Sequence, residues 1–307
     1  MAAGFPRPSS GPSPQVTGTD RSSIVQLMHD PLPSFWAEVK SGNWGDRLGP
    51  VIIERFSGAR PTYVTDRGGR YLTVGTLIQP GYLKPGDHIW GSGYLKPKIV
   101  PASLDLTFHA VRGPRSRDGL IAQGWDVPAV YGDPGLLLPH LYQPAAPFAS
   151  LKQYPMSLIP HMGVSPAYRE TLATLSPEIH VIDILGDVET VLRELWASEL
   201  VFSSSLHGII GAESYGIPAE FVQFHTWPDH GNDERFKYDD YYASTGRAPR
   251  VPLDWRAVTA DQVETAAAQL AQTWRPPVID LVPLVQACPF NWLGIETPDD
   301  LKLERLA

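Results

Sequence analysis

A chain of 307 residues that is 43% hydrophobic can bury two cores of ordinary size. Its formal charge of −8 without any Lys/Arg block argues against a nucleic-acid partner, and its single cysteine, Cys288, excludes an internal disulfide and fits a reducing compartment. No apolar run approaches the ~18 residues of a membrane span and the first residues lack a signal pattern, so the chain is expected in the cytoplasm, at most peripheral to the inner face of the membrane.

Residues 1–22, "MAAGFPRPSSGPSPQVTGTDRS", hold too few large apolar side chains to offset the entropy of ordering and are expected to form a disordered tail. In "NWGDRLGPVIIERFSG" Leu48, Val51, Ile52, Arg55 and Phe56 share a helical face, with Asn43 as N-cap, Asp46 in the first turn and Gly58 as the stop. "PTYVTD", "RYLTVGTLI" and "DHIWGSG" read as short strands. "LDLTFHAV" is a strand that runs through a turn into a helix opened by Pro114 and stopped by Gly124. Prolines between Gly132 and Ser150 interrupt the pattern, and the domain boundary is expected near residue 147.

Beyond it "MSLIPH", "IHVIDIL", "LVFSSS" and "AEFVQF" read as strands alternating with the helices "AYRETLATL", "DVETVLRELWAS" and "GIIGAESYG". Thr259 and Gln262 make a capping box before a late helix. Alternation of this kind implies an α/β protein with parallel sheets. We expect two Rossmann-like domains, 23–147 and 148–290, facing each other across a cleft, with a C-terminal segment at 291–307.

"GSGYLK" lacks the third glycine of a dinucleotide fingerprint, and there is no P-loop. His225, Asp229, His230 and Asp233 have metal-ligand chemistry but neither a helical frame nor a cysteine partner, so a polar loop is the better reading and no metal is expected. Arg112, Arg115 and Arg117 crowd a helix start, an unfavourable place for cations unless an anion sits among them; the plainer reading is a solvated helix. Asp46 has a ready structural role as a first-turn acid. His161 and His207 each follow a strand, where a lone histidine is often a buried, hydrogen-bonded ring. Two of them at equivalent strand ends favour a site. "LVFSSSLHG" places Ser203, Ser204, Ser205, Leu206 and His207 at a strand-to-helix turn, where free backbone N–H groups favour an anion.

Taken together, "GNWGDRLGPVIIERFSG", "WGSG", "VRGPRSRDGLIAQGWDVPAVYGDPGLLLP", "IPH", "SSSLHGIIGAESYGIP" and "FKYDDYY" resemble the polysaccharide pyruvyl transferase family in order and spacing. The resemblance implies a GT-B-like fold and transfer of a pyruvyl group from phosphoenolpyruvate, with no cofactor, onto two hydroxyls of a sugar as a cyclic ketal. The acceptor would be carried on a glycan or a lipid-linked saccharide. It further implies donor binding by Arg112, Arg115, Ser204, Ser205, Leu206 and Lys237, and acceptor binding by Asn43 and Ser92. His207 would be the general acid and Asp46 or His161 the base. Some family members carry an arginine just before the Leu-His pair; here Ser205 stands there, which shifts anion binding toward Arg112 and Arg115. A nucleotide-sugar glycosyltransferase and a non-catalytic carbohydrate-binding protein are the alternatives on the same architecture.

Overall fold

The computed structural model describes residues 31–38, 42–224 and 235–290. The expected tail at 1–22, the loop holding His225, Asp229, His230 and Asp233, and the segment 291–307 lie outside the described residues.

Among the described residues two five-stranded sheets are built in sequence. The first half runs β1 (Leu32–Ser34), α1 (Trp44–Ser57), β2 (Pro61–Tyr63), β3 (Tyr71–Leu72), β4 (His88–Trp90), β5 (Thr107–Ala110) and α2 (Pro114–Ile121). The second runs β6 (Met156–Ile159), α3 (Pro166–Ala173), β7 (Ile179–Val181), α4 (Val188–Trp196), β8 (Val201–Ser203), α5 (Leu206–Ser214), β9 (Ala219–Gln223), α6 (Arg235–Ser244), β10 (Leu253–Asp254) and α7 (Ala260–Thr273). The sheet orders are β2-β1-β3-β4-β5 and β10-β9-β8-β6-β7, and every pairing is parallel. Both halves therefore share one wiring: the second strand lies on one side of the first, and the later strands lie on the other. The order reverses between β1 and β3 and between β6 and β8. In open parallel sheets ligands bind outside the carboxyl ends of the strands at such switch points.

Helix α1 forms for local reasons. Asn43 is extended and its side chain accepts from the Gly45 N–H, Asp46 stands in the first turn, and Gly58 closes the helix at φ 69 with its N–H on Glu54 O. The buried face is Trp44, Leu48, Ile52, Ile53 and Phe56; Arg55 instead lies at the surface, its guanidinium 4.7 Å from the Tyr142 ring centroid. The strand expected from "RYLTVGTLI" shrinks to two residues, because the chain turns through Gly75 at φ 115 soon after. β1 carries no sequence signal: three residues with a proline in the middle read as a break.

Trp44, Leu48, Ile52 and Phe56 pack in one buried cluster with Ile184, Leu192, Leu195, Ile209 and Ile210 of the second half. The halves thus share a core beneath the strand ends. Gly211 permits the approach, since a Cβ there would lie 2.5 Å from the Trp44 ring; the closer packing offsets the ~1 kcal/mol a helical glycine costs. Residues 279–290, counted from sequence with the second half, return to the first. Trp90 Nε1 donates to Leu284 O at 2.7 Å, and Phe290 meets Tyr71 and Trp90 edge-on at 5.6 Å. Among the described residues no helix is long and apolar enough to cross a membrane.

Candidate active site

A cavity of about 230 Å³ opens at the carboxyl ends of both sheets, with Ala37 from beyond β1, Thr76 from beyond β3, Asn43 and Asp46 from α1, His161 from beyond β6, Ser205 and His207 from beyond β8, and Lys237 from α6. It sits at both switch points at once.

The start of α5 is set by hydroxyls. Ser203 Oγ donates to Ser205 O at 2.8 Å and accepts from Ser205 N at 3.0 Å, which fixes the turn. Ser204 Oγ accepts the His161 N–H at 2.7 Å, and Tyr238 donates to Ser204 O at 2.9 Å. Ser205 is the N-cap residue and its hydroxyl makes no capping bond. The first N–H groups of α5, including those of Leu206 and His207, therefore lack the partners that a cap supplies. Lys237 adds a buried cation to this side of the cavity.

His207 is almost enclosed. Its Nε2 lies 3.8 Å from Oδ2 of Asp133, and neither atom has a hydrogen-bond partner among the described residues. Its Nδ1 packs over the start of α1, where a Cβ on Gly45 would stand 2.2 Å away, so no larger residue fits there. Asp133 is completely buried, and its Oδ1 accepts from Gly135 N at 2.9 Å. Sequence reasoning gave this acid no role: "YGDPGLLLP" looks like turn punctuation, and Asp133 does cap the short 3-10 turn Pro134–Leu137. Nothing local says that its second oxygen faces a histidine.

Opposite His207, Asn43 Nδ2 donates to Asp46 Oδ2 at 2.9 Å. Burial lifts the Asp46 carboxyl above the usual carboxylate range, against the opposing pull of His207, the Asn43 hydrogen bond and Lys237. His161 Nδ1 accepts the Gly163 N–H at 3.1 Å, so the neutral ring carries its proton on Nε2.

The structure brings together His207, Asp46, His161, Ser205, Leu206, Lys237 and Asn43. It does not bring Arg112, Arg115, Ser204 or Ser92 to the cavity wall. Arg112 is wholly buried, its Nη2 3.0 Å from Asp240 Oδ2 and 2.6 Å from Tyr94 O. Ser116 completes that knot by donating N–H and Oγ–H to the same carboxylate at 2.9 and 2.6 Å. Arg115 pairs with Asp239 at 3.2 Å. The anions that justify cations at the start of α2 are thus acids of α6, the helix that carries Lys237. Ser92 Oγ donates to Gly75 O at 2.8 Å and accepts from Leu77 N at 2.9 Å, pinning the turns after β3 and β4.

This assigns Arg112 a structural load. Arg112→Ala strands Asp240 in a dry site and is expected to cost about 3–5 kcal/mol, read as a lowered denaturant midpoint, whereas folded Arg112→Lys should keep donor saturation close to that of the parent. A lysine variant of parental stability with clearly weakened donor saturation would return Arg112 to the donor.

Two parallel-sheet halves that meet over one polar cavity, with a helix start, a histidine and a lysine facing a carboxylate, define an α/β protein equipped to hold an anion beside a proton acceptor. A family model described as polysaccharide pyruvyl transferase matches residues 88–219. The succinoglycan biosynthesis protein ExoV of Rhizobium meliloti (strain 1021) is 28% identical over 244 residues, which cover 73% of this chain and 69% of that protein. The uncharacterized protein L143 of Acanthamoeba polyphaga mimivirus is 30% identical over 194 residues, covering 61% and 66%. The matches thus span about two thirds of each relative. No solved structure matches. Residues 88–219 thus match the polysaccharide pyruvyl transferase family, and together with the similarity to ExoV this supports an enzyme of that kind.

Proposed function

We propose that the protein transfers a pyruvyl group from phosphoenolpyruvate to a sugar of a polysaccharide or glycoconjugate, forming a cyclic ketal on a GT-B-like pair of domains divided near residue 147. One observation carries this reading: the α5 start with His207 and Lys237 meets Asp46 of the other half in a single cavity. The donor's phosphate and carboxylate suit the N–H groups of α5, Ser205 Oγ and the Lys237 ammonium. Arg112, Arg115 and Ser204 support that surface from behind, through α6 and the β8 turn.

With the ring doubly protonated, His207 donates from Nδ1 to the donor's methylene carbon, which becomes the methyl group. Asp133 faces the other nitrogen and offsets the ring's charge. The neighbouring carbon becomes cation-like and is attacked by an acceptor hydroxyl, whose proton passes to Asp46. A second hydroxyl then displaces inorganic phosphate, its proton leaving with the phosphate as the hydrogen phosphate dianion, and closes the ketal. Asp46 is favoured over His161 as the base, because its burial strengthens its hold on a proton while Nδ1 of His161 is already engaged by Gly163. Asn43 aligns Asp46 and reaches the acceptor.

These proposed steps use no cofactor, and the acceptor would be a glycan or lipid-linked saccharide presented at the cytoplasmic face of the membrane. Purified protein incubated with phosphoenolpyruvate and a panel of galactosides, glucosides and N-acetylmannosaminides should release phosphate and form ketal. Turnover of a nucleotide sugar, with no phosphate released from phosphoenolpyruvate, would instead make the protein a glycosyltransferase.

A further inference from the structure

The carboxyl ends of β1 and β2 carry aromatic rings that these steps leave unused. Phe35 stacks on Tyr63 with centroids 5.8 Å apart, leans on Tyr82 at 5.2 Å, and Trp36 packs on Tyr63 at 4.6 Å. Phe35 is buried, but Tyr63 and Tyr82 are 36% and 39% exposed, so the group is a surface strip rather than core. It is held rigidly from beneath. The Arg70 guanidinium lies 4.6 Å from the Phe35 ring centroid, pairs with Asp87 at 2.7 Å, and donates to Val64 O at 2.9 Å and Tyr82 O at 2.5 Å.

Position gives the strip a direction. Tyr82 lines the active cavity, while Trp36 lines a second cavity of about 440 Å³ that shares Ala37, Asn43 and Asp46 with the first and is edged by Glu38 and Arg47. β2 is the edge strand beside β1, so the rings lead from Asp46 outward over the rim of the first sheet.

We propose that this strip is a glycan-binding subsite for the sugar residues flanking the one that is modified, which makes an oligosaccharide or polysaccharide chain, not a single sugar, the preferred acceptor. The proposal rests on the acceptor reading given above. A pyranose offers an apolar C–H face and a rim of hydroxyls. Preordered aromatic rings take the face, and Asn43, Glu38 and Arg47 take the hydroxyls. A nucleotide would stack as well, but among the described residues lining the second cavity Arg47 is the single cation, set against Glu38 and Asp46, which disfavours a diphosphate.

Calorimetric titration of the full chain with neutral gluco- and galacto-oligosaccharides of one to six units tests this. Affinity should rise with chain length in at least one series. Trp36→Ala and Tyr63→Ala should each weaken the longest ligand by about three- to tenfold, leave monosaccharide binding and phosphoenolpyruvate saturation unchanged, and melt near the parental temperature; Trp36→Phe, which keeps a ring, should retain most of the effect. Affinity independent of length in both series, or full length dependence in both alanine variants, overturns the subsite. Failure of pyruvyl transfer to every acceptor, with the Trp36-dependent length effect intact, would remove the proposed reaction and leave the subsite standing.

Discussion

His207→Gln is expected to lower turnover by roughly 10²–10⁴, the scale on which a positioned proton donor acts, while donor saturation stays near that of the parent. The reason is positional. The N–H groups at the start of α5, Ser205 and Lys237 remain in place, and only the proposed proton donor is lost. Glutamine fits the narrow space over Gly45 and beside Asp133 better than a charged or bulkier residue would. In deuterated water the parent enzyme should place solvent deuterium in the pyruvyl methyl group, because the proton reaching the methylene carbon comes from an exchangeable site. Parental turnover in the variant, or a product methyl group free of solvent deuterium, would remove His207 from the chemistry.

Asp46→Asn should separate stability from activity. Burial raises the folded pKa of Asp46 above its unfolded value, so the folded protein binds this proton more tightly than the unfolded chain. Stability contributed by the group is greatest below the unfolded pKa, declines as pH rises through the interval up to the folded pKa, and is unfavourable at neutral pH. The amide removes the charge from that site. The melting temperature at pH 7 should therefore rise, with the gain vanishing in acid. Turnover should nevertheless fall by about 10²–10⁴ if Asp46 is the base. The acid limb of the parent's pH profile should lie above the range of an ordinary carboxylate and depend on this residue. A lower melting temperature would mean that attraction to His207 and Lys237 outweighs burial, and near-parental turnover would transfer the base to His161.

Elements with a periodic or capped signature are legible from the amino-acid order alone. The Asn43 cap and Gly58 stop of α1, Pro114 opening α2, the capping box of α7, and the strand-to-helix turn at Ser203–His207 depend on neighbours within a few residues. So does the alternation that implies parallel sheets. β1 is illegible because three residues cannot display a period, and the aromatic run beyond it looks like an ordinary apolar patch.

Local chemistry in the sequence established which groups are available: a histidine at a helix start, a carboxylate in a first turn, and three arginines crowding another helix start. The partner of each was decided only by the tertiary structure. The anions meeting Arg112 and Arg115 are Asp240 and Asp239 on α6, and the acid facing His207 is Asp133, drawn in by the 3-10 turn that packs on α5. Ser92 became a pin between two turns, and Asp46 came to face His207 because α1 packs into a core shared by both halves. The physical cause is range: caps and periodicity act over a few residues, whereas ion pairs between distant segments form only once burial has brought them together and removed the water that would otherwise screen them.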